Sequence, residues 1–368
     1  GTTTSTLASG TWSVAGTNKY KFNNPTYNSA LPLIIEVDYG NAAPSQNSSI
    51  ANLEFCTYYG GARDEGFKVI KSIPVNGRYV VAGTTNSWAA NREFPTGGTN
   101  TSSVTTIYTY MTMVMFDSIG KRLCANIYGG FGDIEPTDIV LHNTGNRVTV
   151  IGNTWSTTMV TPYGPNLTPS TYSNNSGEGF VIQFNSTGQN LNIMRWQSRL
   201  NGYASNIALT PDQSSMYITT STKASVYTKD LLPKVNAYND SVNTGNWVFQ
   251  ISKYNYLGVR QWATYFPAQS PSAICTYTPT FSYRNYSQGT QNDPRLKCRI
   301  DADNYGFVIA GEVKASGMPI FNKYHRQIDS TYNGGTDAFV ARFNTKDSLV
   351  FSQYIGGTDE DGFLGLKI

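Results

Sequence analysis

Two histidines, three acidic clusters and a set of repeated aromatics are the residues of this chain whose types and spacing bear on chemistry. His142 and His325 are its only imidazoles. A Ser-His-Asp system needs one of them held between a nucleophile and a carboxylate. No GxSxG, HExxH or Cys-His spacing accompanies either, so both read as turn or surface residues. The acidic clusters Asp64-Glu65, Asp133 with Glu135, and Asp359-Glu360-Asp361 each follow a Gly-Gly pair. Clustered carboxylate oxygens suit a hard cation such as Ca²⁺. Carboxylates after a glycine turn also accept backbone N–H groups and set the entry of the next strand. Turn chemistry is the leading expectation, with Asp359, Glu360 and Asp361 as the metal-ligand candidates and Ca²⁺ as the secondary reading of a chain otherwise expected to carry no cofactor. The segment Asp301 to Gly306, DADNYG, has the acidic spacing of a calcium loop, with Glu312 at its twelfth position. Residues 307–311 read as a strand, FVIAG, so the segment is taken as a β-turn. Trp88, Trp155 and Tyr227 lie at or just after equivalent strand ends and are the binding candidates, by stacking on a sugar or a partner. Packing between sheets is the competing use of such aromatics.

The elements that must position these residues repeat along the chain. Each unit opens with an alternating strand: FVARFN from Phe339, FVIQFN from Phe180, VFQISKYN from Val248, MVMFD from Met113. A short turn follows, with Gly120, Gly188 or Gly258. A second strand ends in Gly-Gly, as in CTYYGG, ANIYGG and SQYIGG. A third strand ends at a turn rich in Asn, Asp and Gly, and a fourth follows, as in YVVAGTTNS from Tyr79 and VTVIGNTWS from Val148. Short strands at this spacing indicate all-β structure, and a repeat of this length indicates an array of small sheets. Gly-Gly pairs begin at Gly60, Gly129 and Gly356, and two degenerate copies fill the interval.

The expected fold is therefore an all-β propeller of four-stranded antiparallel blades, forming a single domain over residues 1–368. Blade boundaries fall at about residues 32–87, 109–156, 177–225, 246–317 with an insertion at 267–294, and 334–368. The segment GTWSVAGTNKYKFNNP from Gly10 is similar to Tyr79 to Pro95 and reads as the missing last strand of the fifth blade, over residues 10–22. Closure by that strand removes two open sheet edges. The competing reading is an excerpt from a longer array.

Composition narrows the classes further. Charged residues make up 14%, low against a usual ~25%. The net charge of +3 carries no basic run, which argues against a nucleic-acid partner, and no apolar window reaches transmembrane length. Of the four cysteines, Cys275 and Cys298 flank the insertion and are the expected disulfide. A Cys56–Cys124 bridge and four free thiols are the alternatives.

The pattern DAFV…FN…LVFSQYIGG…DEDG, followed elsewhere by GRYVVAGTTNS…FP, resembles the bacterial "seven-bladed β-propeller" repeat family. Asp337 to Val340, Tyr354 to Gly357, Asn76-Gly77, Val81 to Ser87 and Phe94-Pro95 carry the likeness. The resemblance implies an extracellular or cell-surface address, as in proteins of gliding, type 9-secreting and adhesin-bearing Bacteroidetes. It also implies surface proteins, glycans or other domains of a larger parent protein as partners, and it brings no catalytic residue. On these grounds the chain is expected not to be an enzyme but a scaffold or adhesion module that binds through the long loops of one rim. The alternatives are a polysaccharide-acting hydrolase or lyase and a spacer in a surface filament.

Overall fold

A computed structural model describes residues 11–16, 19–23, 58–61, 64–73, 77–87, 108–129, 132–142, 147–155, 178–185, 192–200, 202–223, 247–266, 298–313, 316–323, 328–363 and 365–368. The chain divides into two compact units, Gly1–Tyr59 and Gly60–Ile368. In the first, β1 (Thr11–Gly16) pairs antiparallel with β2 (Lys19–Asn23) in a two-stranded sheet.

The second unit contains four antiparallel sheets, each laid down in chain order. The first holds β3 (Glu65–Ile73), β4 (Arg78–Thr85), β5 (Tyr110–Phe116) and β6 (Arg122–Tyr128). The second holds β7 (Ile134–Leu141), β8 (Arg147–Thr154), β9 (Glu178–Asn185) and β10 (Asn192–Leu200). The third holds β11 (Tyr203–Leu209), β12 (Ser215–Lys223), β13 (Trp247–Asn255) and β14 (Arg260–Phe266). The fourth holds β15 (Arg299–Asp303), β16 (Gly306–Val313), β18 (Asp337–Asn344) and β19 (Leu349–Ile355), and the short β17 (Phe321–Asn322) extends its far edge. No helix occurs among the described residues.

All-β structure in four-stranded antiparallel sheets matches the sequence expectation, but the frame is displaced by two strands. The sheets span residues 65–128, 134–200, 203–266 and 299–355, so the pairs beginning at Gly60, Gly129 and Gly356 lie outside the sheets, the second of them between the first and second sheets. The expected blade boundaries cut every sheet in half. Glycine is needed at that crossing for steric reasons: a Cβ on Gly129 would stand 1.8 Å from the Tyr110 ring. The fourth sheet has four full strands of its own, and β1 pairs with β2 in the first unit.

Leading strands follow one another in space: β3 packs beside β7, β7 beside β11, and β11 beside β15. Three of them carry a register shift at the same place, at Phe67/Val69, Pro136/Asp138 and Ala204/Asn206. Such bulges re-aim side chains within a strand. Core clusters fill the spaces between successive sheets. Met113, Cys124, Val150 and Phe184 lie between the first and second, Ile151, Val181 and Ile218 between the second and third, and Phe249, Trp262, Phe307 and Phe343 between the third and fourth. Phe307 stacks on Phe343 with centroids 4.7 Å apart, and Phe266 meets Phe343 edge-on at 5.6 Å. Each such pair adds about 0.5–1.5 kcal/mol beyond burial. Covered on both faces, β5 (YMTMVMF) is buried throughout, whereas β19 alternates.

Hairpins on the third and fourth strands reuse one device. Asp117 Oδ1 accepts the N–H groups of Ile119 and Lys121 at 3.1 and 2.8 Å. Asn255 Oδ1 does the same for Leu257 and Val259, and Asn344 Oδ1 for Lys346 and Ser348. These side-chain-to-backbone bonds close the turn locally.

Candidate functional site

Polar side chains on the leading strands form a seam that runs from sheet to sheet. The bulge in β7 leaves Glu135 opposite Asn153 and Asp138 opposite Ile151, two positions of one sheet face. Lys68 of β3 pairs with Glu135, and Lys71 Nζ stands 3.9 Å from Asp138 Oδ1. Asp138 Oδ1 also accepts the Ile139 N–H at 2.9 Å. Across the next gap, Asp138 Oδ2 accepts the Ile207 N–H at 3.1 Å and a bond from Asn206 Nδ2. Asn206 repeats the device one sheet on, its Oδ1 accepting the Ile300 N–H at 2.8 Å. Asp301 of β15 then accepts the Ile368 N–H at 2.9 Å and Lys367 Nζ at 2.8 Å. Asn153 adds a second tie, accepting the Ala204 N–H at 2.8 Å.

Burial holds the Asp138 carboxyl above its ordinary range, and Lys71, the two N–H donors and Arg299 pull it back. Its oxygens are therefore spent on holding β7, β3 and β11 together. Glu135 differs. It is buried, Lys68 engages one of its oxygens, and Oε2 has no hydrogen-bond partner. A buried carboxylate oxygen without a donor costs about 1–3 kcal/mol or more.

A second polar cluster joins the third and fourth sheets. Asp347 accepts bonds from Tyr217 Oη at 3.0 Å, Lys253 Nζ at 2.9 Å and Trp262 Nε1 at 2.9 Å. Lys253 also lies 5.4 Å above the Tyr217 ring. Burial, then the Asp347 carboxylate, raises the Tyr217 phenol pKa, so the tyrosine acts as a donor. Every member is engaged, which makes this a clamp rather than a ligand seat.

Two of the carboxylates after Gly-Gly accept a backbone N–H of their own turn. Glu65 Oε2 accepts the Gly61 N–H at 3.0 Å, and Asp361 Oδ2 accepts the Gly357 N–H at 2.7 Å. Asp133 accepts the Thr109 N–H at 2.7 Å, and burial raises its pKa. Glu360 forms an isolated bridge with Thr336, and Asp359 lies in the turn before it. No group of three or more His, Cys, Asp and Glu able to hold a metal occurs among the described residues.

Other expected site residues are scattered. His142 is buried and shares a 3.1 Å hydrogen bond with Thr149 Oγ1, its pKa pushed down to about 4 by burial and by Arg147. Trp155 is half-buried, 6.4 Å from the Tyr203 ring, which is packing between sheets. His325, Trp88, Tyr227 and the insertion at 267–294 lie outside the described residues. Cys298 is a free, buried thiol in the core between the third and fourth sheets, its pKa raised to about 12 by burial. That corrects the expected Cys275–Cys298 disulfide: the thiol faces packed hydrophobic side chains, and Cys275 lies outside the described residues. Cys124 is likewise buried, in the core between the first and second sheets.

Sequence reasoning missed the seam. Its signal lay in the alignment of Asp138-Ile139 with Asn206-Ile207, a polar residue and an isoleucine at the same place in successive copies.

No protein-family model matches the chain, and no curated protein matches it. Among solved structures it is similar to an ACO/RPE65 chimera, with 12% identity and a TM-score of 0.30. It is also similar to the cobalt-substituted apocarotenoid oxygenase of Synechocystis, with 11% identity and a TM-score of 0.30. Either likeness covers 82% of this chain and 64% of the other. The matched proteins are oxygenases, one with cobalt as a substitute metal. The expectations of a chain that is not an enzyme, of a scaffold or adhesion module with its polysaccharide-acting and spacer alternatives, and of no cofactor are corrected against them and are not retained. Those expectations rested on missing local motifs, and a site assembled from several strands leaves none. At this TM-score and identity, neither the oxygenases' activity nor their metal passes to this chain.

Proposed function

We propose that the four sheets are blades of a five-bladed β-propeller and that the polar face of their leading strands recognises a neutral polyol such as a saccharide. Support for the propeller comes from the succession β3, β7, β11, β15 and from the seam. Asp138 and Asn206 each bind an N–H of the next leading strand, and Asp301 binds Ile368 in the same manner. In this reading Ile368, bound by Asp301, belongs to the opening strand of a fifth blade. The exposed flank of β3, where Phe67 and Ile70 are 40% and 61% exposed, is the surface such a blade covers.

One observation carries the ligand seat: the buried, unpartnered Glu135 Oε2 beside Lys68. Lys68 and Lys71 balance Glu135 and Asp138, so a ligand that brings no net charge is the least costly to bury there. Hydroxyl groups donate to the free carboxylate oxygen and accept from an ammonium. Saturation-transfer NMR with cellotriose and maltotriose tests this. Transfer to the sugar protons is expected with the native chain and is expected to vanish in Glu135→Ala, while an exposed-turn control, Lys346→Ala, retains it. Absence of transfer with both sugars, or transfer that Glu135→Ala leaves intact, refutes the seat.

The family assignment and the extracellular address rest on the repeat motifs. With them, surface proteins or other domains of a parent chain remain the macromolecular partners proposed. Protease shaving of intact cells checks the address: a chain cut only after lysis rules it out.

A further inference from the structure

The exit from a sheet's fourth full strand is built twice with different side chains. In the first sheet Tyr110 is wholly buried and its ring lies over Gly129. In the fourth sheet the same place over Gly356 is held by Asp337, also wholly buried. An aspartate fills much less volume than a tyrosine, and Asn333 lies beside it, its Nδ2 donating to the Gly356 carbonyl at 3.1 Å. Asp337 Oδ2 accepts the Asn333 N–H at 3.0 Å, but Oδ1 has no partner. The buried Thr336 Oγ1, one residue earlier, has none either.

Asp361 faces the same space. A Cβ placed on Gly356 would stand 3.0 Å from Asp337 Oδ1 and 3.1 Å from Asp361 Oδ2. Two carboxylate oxygens therefore converge on one point, and the one from Asp337 is sealed from water without a donor. Burying a charge in this way is costly unless a cation answers it.

We propose that the space over Gly356 is a divalent-cation site, with Asp337 and Asp361 as its carboxylate ligands. Both are hard oxygen donors, which selects cations of the Ca²⁺, Mg²⁺ and Mn²⁺ class. The other copies lack the site: Tyr110 occupies the place of Asp337 in the first sheet, and the degenerate copies have no Gly-Gly. The site is independent of the Glu135 seat.

The test is thermal unfolding of the full chain after chelation, with CaCl₂, MgCl₂ or MnCl₂ added separately at millimolar concentration against KCl of equal ionic strength. At least one cation is expected to raise the midpoint, and Asp337→Asn is expected to weaken its apparent Kd about tenfold or more. Terbium luminescence sensitised by Tyr354 and Tyr332, and its displacement by the stabilising cation, tests the unmodified chain should the variant misfold. A midpoint that responds to none of the three cations beyond KCl, an unchanged response in Asp337→Asn, or the lack of any sensitised terbium signal overturns the proposal.

Discussion

The hairpin joining β5 to β6 and the one joining β18 to β19 share a backbone but differ in what they do. Both place an Asx side chain over two N–H groups, and both need a left-handed residue three positions on. The first uses Gly120, with φ of 81°, and the β13–β14 hairpin uses Gly258, with φ of 75°. The last uses Asp347, with φ of 60°, a conformation that costs a non-glycine residue roughly 1 kcal/mol. The aspartate persists there because its carboxylate receives Tyr217, Lys253 and Trp262 from the neighbouring sheet. Tyr110 and Asp337 make the same contrast at the crossing over the glycines. Where copies agree, the residue serves the backbone; where one copy departs, its side chain serves something beyond its own hairpin.

The largest effect expected from this contrast is at the crossing glycines. Gly129→Ala drives a Cβ into the buried Tyr110 ring and is expected to cost about 3 kcal/mol. Gly356→Ala meets the Asp337 and Asp361 oxygens near 3 Å and is expected to cost about 1 kcal/mol while blocking the cation response. Urea unfolding of the two variants separates the cases, and equal losses would remove the distinction between the copies.

Next comes the clamp. Asp347→Ala strands the Lys253 ammonium, the Tyr217 hydroxyl and the Trp262 N–H in a partly buried cluster, and a loss of about 2–3 kcal/mol is expected. Asp347→Gly removes the same bonds but relieves the left-handed strain, so its loss is expected to be smaller by about 1 kcal/mol. At the equivalent Gly258, substitution by Ala is expected to cost about 1 kcal/mol with no clamp involved. If Asp347→Gly proves no less damaging than Asp347→Ala, strain plays no part in the contrast.

Much of this was legible in the sequence, and the gaps have physical causes. Strand alternation and turn residues revealed the sheets, and the carboxylates after Gly-Gly revealed their own turn bonds at Glu65 and Asp361. The frame did not follow, because a strand pattern repeats identically wherever the count begins. Pairing decides it, and Gly129 against Tyr110 is a tertiary contact. The seam through Asp138 and Asn206 did not follow either, because a bulge, invisible in residue types, turns them toward the next sheet. Glu135 was noticed for its charge, but its unpartnered oxygen depends on where Lys68 of another sheet falls. Cys298 looked pairable by its place beside the insertion, and core packing decided otherwise.

His142 supplies the sharpest pH signature. It ends leading strand β7 where the other copies have Ile73, Thr210 and Asp303, and it is buried against Thr149. Its folded pKa of about 4 lies below the unfolded value of 6.5, so between those limits the unfolded chain binds more protons. Stability from this group is complete above pH 6.5 and is lost as pH falls toward 4, with about 2 kcal/mol gone at pH 5. His142→Ile installs the side chain that Ile73 already carries, buried, at the same strand end. The difference in unfolding free energy between the native chain and this variant is then expected to grow steadily from pH 7 to pH 5. A constant difference over that range would mean that the histidine titrates in the fold as it does in the unfolded chain, and that this departure from the other copies has no bearing on stability in acid.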